Sequence, residues 1–195
     1  MKTRARSLPM LAACSLLALL AGCGGGATNT TSINLGGSVT GLTDSGLVLS
    51  NGLSVAAIGS NSTTFTFPSR VLIGSQYLVQ VQTNPPSLLC TVTNGLGFVT
   101  NNTDINNVAV ACVPRNTLGG TITGLATDGL ILANGSDTVR PAPGAQSFTF
   151  ATKIGKGFSY GVTVLQQPMG LICSIAGGTG VMGATALDTV QVTCR

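Results

Sequence analysis

Moved forward by 83 residues, Leu35-Gly36-Gly37-Ser38-Val39-Thr40-Gly41-Leu42 falls without a gap on Leu118-Gly119-Gly120-Thr121-Ile122-Thr123-Gly124-Leu125. The same displacement lays Gly46-Leu47-Val48-Leu49 on Gly129-Leu130-Ile131-Leu132, Asn51-Gly52 on Asn134-Gly135, and Phe65-Thr66-Phe67 on Phe148-Thr149-Phe150. It carries on through Tyr77 and Tyr160, Val79 and Val81 against Val162 and Val164, Pro85 and Pro168, and Cys90 and Cys173. One residue is then lost from the second copy, after which Val108, Val110 and Cys112 match Val190, Val192 and Cys194. A tandem duplication of this kind leaves few folds open. Each copy of about 78 residues is longer than a solenoid repeat of about 20–45 residues and long enough to close its own core. The expected units are 35–113 and 118–195, joined by the short link 114–117, whose proline restricts rotation and predicts a stiff pair.

Inside a copy the apolar residues alternate. Val39 and Gly41 share a face, as do Phe65 and Phe67, then Tyr77, Val79 and Val81, then Val108, Val110 and Cys112, which is the period of a half-buried strand. Strands are expected at about 38–42, 46–50, 53–58, 63–68, 76–83, 88–94 and 107–113, and at the displaced positions of the second copy. Asn51-Gly52 and Asn134-Gly135 fit two-residue hairpin turns, which need two positive φ angles. Helices have little to form from: the chain has no glutamate and only 7% charged residues, against 27 glycines. Disorder is equally disfavoured at a mean hydropathy of +0.47. The fold expected is all-β, two tandem, roughly seven-stranded β-sandwiches.

The N-terminus reads as an address. Lys2, Arg4 and Arg6 precede an apolar run from Leu8 to Ala21, the layout of a secretory signal and shorter than the roughly 20 residues a spanning helix needs. Leu20-Ala21-Gly22-Cys23 resembles the lipobox of bacterial lipoproteins, which implies cleavage after residue 22 and acylation of Cys23. Leu11-Ala12-Ala13-Cys14 satisfies the same pattern but leaves an apolar region of about six residues. In the resembled family the residue after the cysteine influences sorting. Gly24 is not the aspartate associated with inner-membrane retention, so the resemblance implies the outer membrane. The predicted layout is a signal peptide at 1–22, a lipidated Cys23 opening a Gly/Thr/Asn tether to residue 34, and then the two sandwiches.

Removal of the signal takes Cys14 with it, and lipid occupies Cys23. Four cysteines then remain in an oxidising compartment. Of three possible pairings the duplication selects Cys90 with Cys112 and Cys173 with Cys194, one bridge per copy. A zinc site is disfavoured by spacing, since no Cys-x-x-Cys and no histidine occur. The mature chain keeps six basic residues against five aspartates, a balance with no basic cluster to attract nucleic acid.

The ordered set Gly-x-(Val/Ile)-Thr-Gly-Leu, Gly-Leu-x-Leu-x-Asn-Gly, Phe-Thr-Phe, Gly-x-x-Tyr-x-Val-x-Val, Pro, Cys and Val-x-Val-x-Cys resembles tandem sandwich repeats of bacterial surface proteins. Those are similar to transthyretin-like, carboxypeptidase-regulatory-like modules of immunoglobulin-like architecture. The resemblance implies a fold and no ligand.

Catalytic patterns are few. Gly157-Phe158-Ser159-Tyr160-Gly161 matches a nucleophile elbow, but that needs a strand-to-helix turn and a histidine base. Gly178-Thr179-Gly180-Val181-Met182-Gly183 matches a dinucleotide fingerprint without a following helix, and is expected to be a hairpin turn. Asp44, Asp104, Asp128, Asp137 and Asp188 never align with one another under the repeat, and the stretch 101–107, with one carboxylate, reads as a solvated turn rather than a calcium loop. Phe65, Phe67, Phe148, Phe150, Tyr77 and Tyr160 recur and are expected in the cores. Phe98 and Phe158 do not recur; core or edge packing is expected for them, with exposed contact the alternative. The functional expectation is a non-enzymatic, membrane-anchored envelope module, structural, adhesive or binding. It needs no cofactor and no metal; its lipid contacts the membrane, and any protein or glycan partner is unspecified. An accessory subunit of an envelope complex and a small envelope hydrolase are the alternatives.

Overall fold

The computed structural model describes residues 31–195. Ten strands come from the first copy: β1 (Ser32–Ile33), β2 (Leu35–Thr40), β3 (Leu47–Asn51), β4 (Ser54–Ile58), β5 (Thr64–Thr66), β6 (Val71–Leu72), β7 (Gln76–Thr83), β8 (Leu88–Thr93), β9 (Leu96–Phe98) and β10 (Ile105–Asn116). The second gives β11 (Leu118–Thr123), β12 (Ile131–Asn134), β13 (Asp137–Val139), β14 (Ser147–Thr149), β15 (Ile154–Gly155), β16 (Ser159–Gln166), β17 (Cys173–Ala176), β18 (Thr179–Val181) and β19 (Leu187–Cys194). No helix occurs among the described residues.

Each copy is a sandwich of two sheets. In the first, β5-β2-β10-β8 faces β4-β3-β7-β9; in the second, β14-β11-β19-β17 faces β13-β12-β16-β18. The copies therefore share one strand order. The first and last long strands of each copy lie side by side and parallel, β2 with β10 and β11 with β19. Both parallel ladders slip register near their start, where Gly37 and Gly120 sit under the carbonyls of Val108 and Val190. Any side chain there would collide with that carbonyl, which explains the repeated Gly-Gly.

Alternation fills two separate cores. Leu35, Val39, Leu47, Leu49, Val108 and Val110 centre the first, and Leu118, Ile122, Leu130, Leu132, Val190 and Val192 the second. In each, paired phenylalanines meet edge to face, Phe65 on Phe67 at 5.8 Å and Phe148 on Phe150 at 5.7 Å. No polar or charged side chain is buried among the described residues, so both cores rest on apolar burial and packing.

The expected all-β pair of sandwiches is found, and two details need correction. Leu96–Phe98 and Thr179–Val181 form edge strands β9 and β18 beside β7 and β16, which brings each sandwich of roughly seven strands to eight. Half of the stretch 178–183, Thr179–Val181, is thus strand, and the hairpin turn expected there is not formed. Its glycine hides the pattern. Tyr77 lies across Gly97 and Tyr160 across Gly180, each ring occupying the space a side chain would take, an arrangement known to stabilise strand glycines.

The second correction concerns the joints. Ser32 and Ile33 pair with Leu72 and Val71, while Arg115 and Asn116 pair with Gly155 and Ile154. The Ile73 N–H donates to the Thr31 carbonyl at 3.0 Å and the Lys156 N–H to the Pro114 carbonyl at 2.7 Å. All these positions correspond under the 83-residue displacement. Residues 31–34 are therefore bonded to the first sandwich instead of ending a free tether. Residues 114–116, expected as a link, continue β10 onto the second. Backbone groups along β6 and β15 would otherwise lack partners, and a two-residue strand has no period to show in sequence.

Candidate functional site

Cys23, the lipobox before it and the glycines after it lie outside the described residues. The other four candidate cysteines form two disulfides, Cys90 with Cys112 and Cys173 with Cys194. Each joins directly opposed residues of adjacent antiparallel strands, β8 with β10 and β17 with β19. What keeps the first cysteine of each pair in place is a side-chain amide. The Cys90 N–H donates to Asn84 Oδ1 at 2.7 Å, and the Cys173 N–H to Gln167 Oε1 at 2.7 Å while Gln167 Nε2 returns a bond to the Cys173 carbonyl. Asn84 and Gln167 correspond under the displacement, a signal available to sequence reading but hidden by the Asn/Gln exchange.

A second repeated device sits at the hairpins. Asn51 and Asn134, which open the Asn-Gly turns, accept the N–H of Leu78 at 2.8 Å and of Gly161 at 2.8 Å. The turn residue thus clamps the neighbouring strand.

Polar chemistry concentrates where the chain enters the first sandwich. Asp104 accepts the Asn34 N–H at 2.7 Å and Asn34 Nδ2 at 2.9 Å. Arg70 donates to Ser32 Oγ at 3.0 Å, to the Ser32 carbonyl and to Asn34 Oδ1 at 3.2 Å. The backbone N–H of Asn34, then its amide and the nearby Arg70 charge, hold the Asp104 carboxyl below the ordinary aspartate value. Asp104 therefore ties down the entering chain. Its counterpart in the second copy is lost, because the five residues 100–104 are replaced by the four residues 183–186.

Two further carboxylates, Asp44 and Asp137, are held by hydrogen bonds elsewhere. Asp44 accepts Ser87 Oγ at 2.9 Å and the Ser45 N–H at 2.8 Å, which lower its pKa in that order. Asp137 accepts the Thr152 N–H at 2.9 Å. Among the described residues no group of three or more His, Cys, Asp or Glu is placed to hold a metal. Ser159 begins strand β16 opposite Val181, with no helix after it, so the Gly-x-Ser-x-Gly match lacks the elbow geometry. Of the stretch 101–107, residues 101–104 form the exposed bend expected there, whereas Ile105, Asn106 and Asn107 already belong to β10. Phe98 sits on edge strand β9 with 59% of its surface exposed, and Phe158, also exposed, lies beside Gly155. Neither belongs to a core. A groove of the second copy runs between the end of β11 and residues 143–146, lined by Thr121, Thr123, Pro143 and Gln146 among others, without a titratable group.

No family model and no curated protein matches the chain. Among solved structures it is similar to the major pilin protein (T-13) from Streptococcus pyogenes, at 11% identity and a TM-score of 0.25, over 84% of this chain and 96% of that one. A score at that level bears on neither fold nor function.

Proposed function

We propose that the chain is a lipoprotein of a bacterial envelope, held in the outer membrane by acyl chains on Cys23, and that its two disulfide-stapled sandwiches act as a non-enzymatic structural, adhesive or binding module. The observation that carries this reading is β10. One uninterrupted strand belongs to a sheet of the first sandwich and then supplies the edge partner of β15 in the second. A joint of that kind supports a role in holding a surface at a set distance from an anchor, because bending it means breaking strand pairing.

Three of the five aspartates support the same reading, since Asp44, Asp104 and Asp137 are engaged in hydrogen bonds that hold neighbouring segments together. Lipoprotein acylation supplies several chains, and two or more give stable anchoring where one does not. Substituting Cys23→Ala is expected to abolish lipid labelling and release the protein from membranes, with both disulfides still formed. A variant that stays in the membrane fraction overturns the anchor. Protease treatment of intact cells then separates surface display, where residues 31–195 are digested, from a periplasmic position, where they are protected and adhesion to outside partners is ruled out.

A further inference from the structure

The end of the first sandwich at which the chain enters is coated with apolar side chains. Thr31 bonds Ile73, Gly74 and Ser75 bond Val99, Gln76 pairs with Phe98, and Leu78 is held by Asn51 of the β3–β4 turn. These links gather Leu53, Leu72, Ile73, Leu78, Leu96 and Phe98 at that end and along the adjoining outer face of β7 and β9. All six are exposed, Leu53 completely. Isolated exposed apolar residues are ordinary, but a contiguous group marks a contact surface.

The duplication provides an internal control. Strand pairing places Ser136, Gly155, Lys156, Gly161, Thr179 and Val181 at the corresponding positions of the second copy. Five of the six have thus been replaced by small, polar or charged residues, and the sixth by a smaller one. Only Gly155 has a packing reason to be small, since Leu89 of the first copy lies against it, 2.7 Å from where its side chain would start. The fold does not require the coat, so it belongs to what the first copy alone faces.

What the first copy faces follows from the anchor reading, on which this inference rests. Cys23 and Thr31 are eight residues apart, at most about 28 Å when fully extended. The coated end is the end so held. Arg70 and Asp104 at its rim carry opposite charges and bond the same Asn34, which leaves no net charge to repel a lipid surface or to demand an anionic one. We infer that the Leu53/Phe98 end of the first sandwich rests in the interfacial layer of the membrane that anchors Cys23, so that the module stands on the bilayer at a fixed attitude instead of trailing from it.

The chain contains no tryptophan, so a single introduced indole reports its own site. Full-length lipidated protein carrying Leu53→Trp, and a second sample carrying Ser136→Trp, are reconstituted into phosphatidylethanolamine/phosphatidylglycerol vesicles and purified by flotation. The expected result is blue-shifted emission from Leu53→Trp that is lost when the acyl chains are brominated, with Ser136→Trp unaffected. Adding Leu96→Thr and Phe98→Val, residues the second copy already folds with, is expected to return the emission to its aqueous position. Protein that floats while Leu53→Trp behaves as Ser136→Trp does overturns the inference alone. A blue shift insensitive to brominated lipid also overturns it, and assigns the coat to a second copy, whose Met169 and Ile172 are exposed. Failure to float overturns the anchor reading and this inference together.

Discussion

At Gly37 and Gly120 a backbone carbonyl of the neighbouring strand occupies the space of a side chain. Gly135, in contrast, has a φ of +60° and open space around it. Two costs are thereby separated within one protein. Gly120→Ala is expected to destabilise the second sandwich by about 3 kcal/mol or more, because the parallel ladder must move. Gly135→Ala should cost only about 1–2 kcal/mol, the price of a left-handed conformation, and urea denaturation of each variant measures both. A comparable contrast exists for charge. Asp104 has a folded-state pKa below its ordinary value, so its contribution is complete above about pH 3.9 and disappears as pH falls through the lowered value. The Ile73 amide, bonded to Thr31, should therefore lose hydrogen-exchange protection below that range relative to the Lys156 amide, whose copy has no matching carboxylate. In Asp104→Ala the ratio of the two should no longer change with pH in this window.

At the scale of strands, the disulfides and the amides beside them form one device. Each bridge closes a separation of 22 or 21 residues, worth about 3 kcal/mol when loop closure in the unfolded chain is counted. The double variant Cys173→Ala/Cys194→Ala should lower the stability of the second sandwich by about that amount and leave the first unchanged, as two separable transitions in a calorimeter would show. Gln167→Ala should cost about 1–3 kcal/mol by leaving the buried Cys173 N–H without its acceptor. These strands were legible in sequence because large apolar residues alternate along them, and the cysteine pairing because the copies repeat it. Strands β9 and β18 were not legible, since Gly97 and Gly180 interrupt the alternation and the ring that replaces the missing side chain comes from Tyr77 or Tyr160 on another strand. The pairing of Ser32 and Ile33 with β6, and of Arg115 and Asn116 with β15, is hidden for a related reason: two-residue ladders of backbone bonds have no period to show in sequence. The exposed coat was half legible. Phe98 stood out because it does not recur, but only strand pairing shows that Leu53, Leu72 and Leu96 stand at the same end.

At the scale of the whole molecule, two sandwiches are coupled through β10, and the proposed lipid on Cys23 would lie a short stretch of chain before the first. Inserting Gly-Ser-Gly-Ser between Val113 and Pro114 should cut the pairing of Arg115 and Asn116 with β15 and let the two sandwiches tumble separately. Amide relaxation is expected to give one rotational correlation time in the parent protein and two shorter ones in the insertion variant. The proposed function depends on Cys23 being the anchor. The most direct test is therefore the intact mass of the protein extracted from membranes, with fragmentation of its N-terminal peptide. The account predicts a mature chain that begins at Cys23, carries thioether-linked diacylglycerol, and has Cys90, Cys112, Cys173 and Cys194 oxidised. A mature chain that begins elsewhere, or an unmodified Cys23, would contradict it.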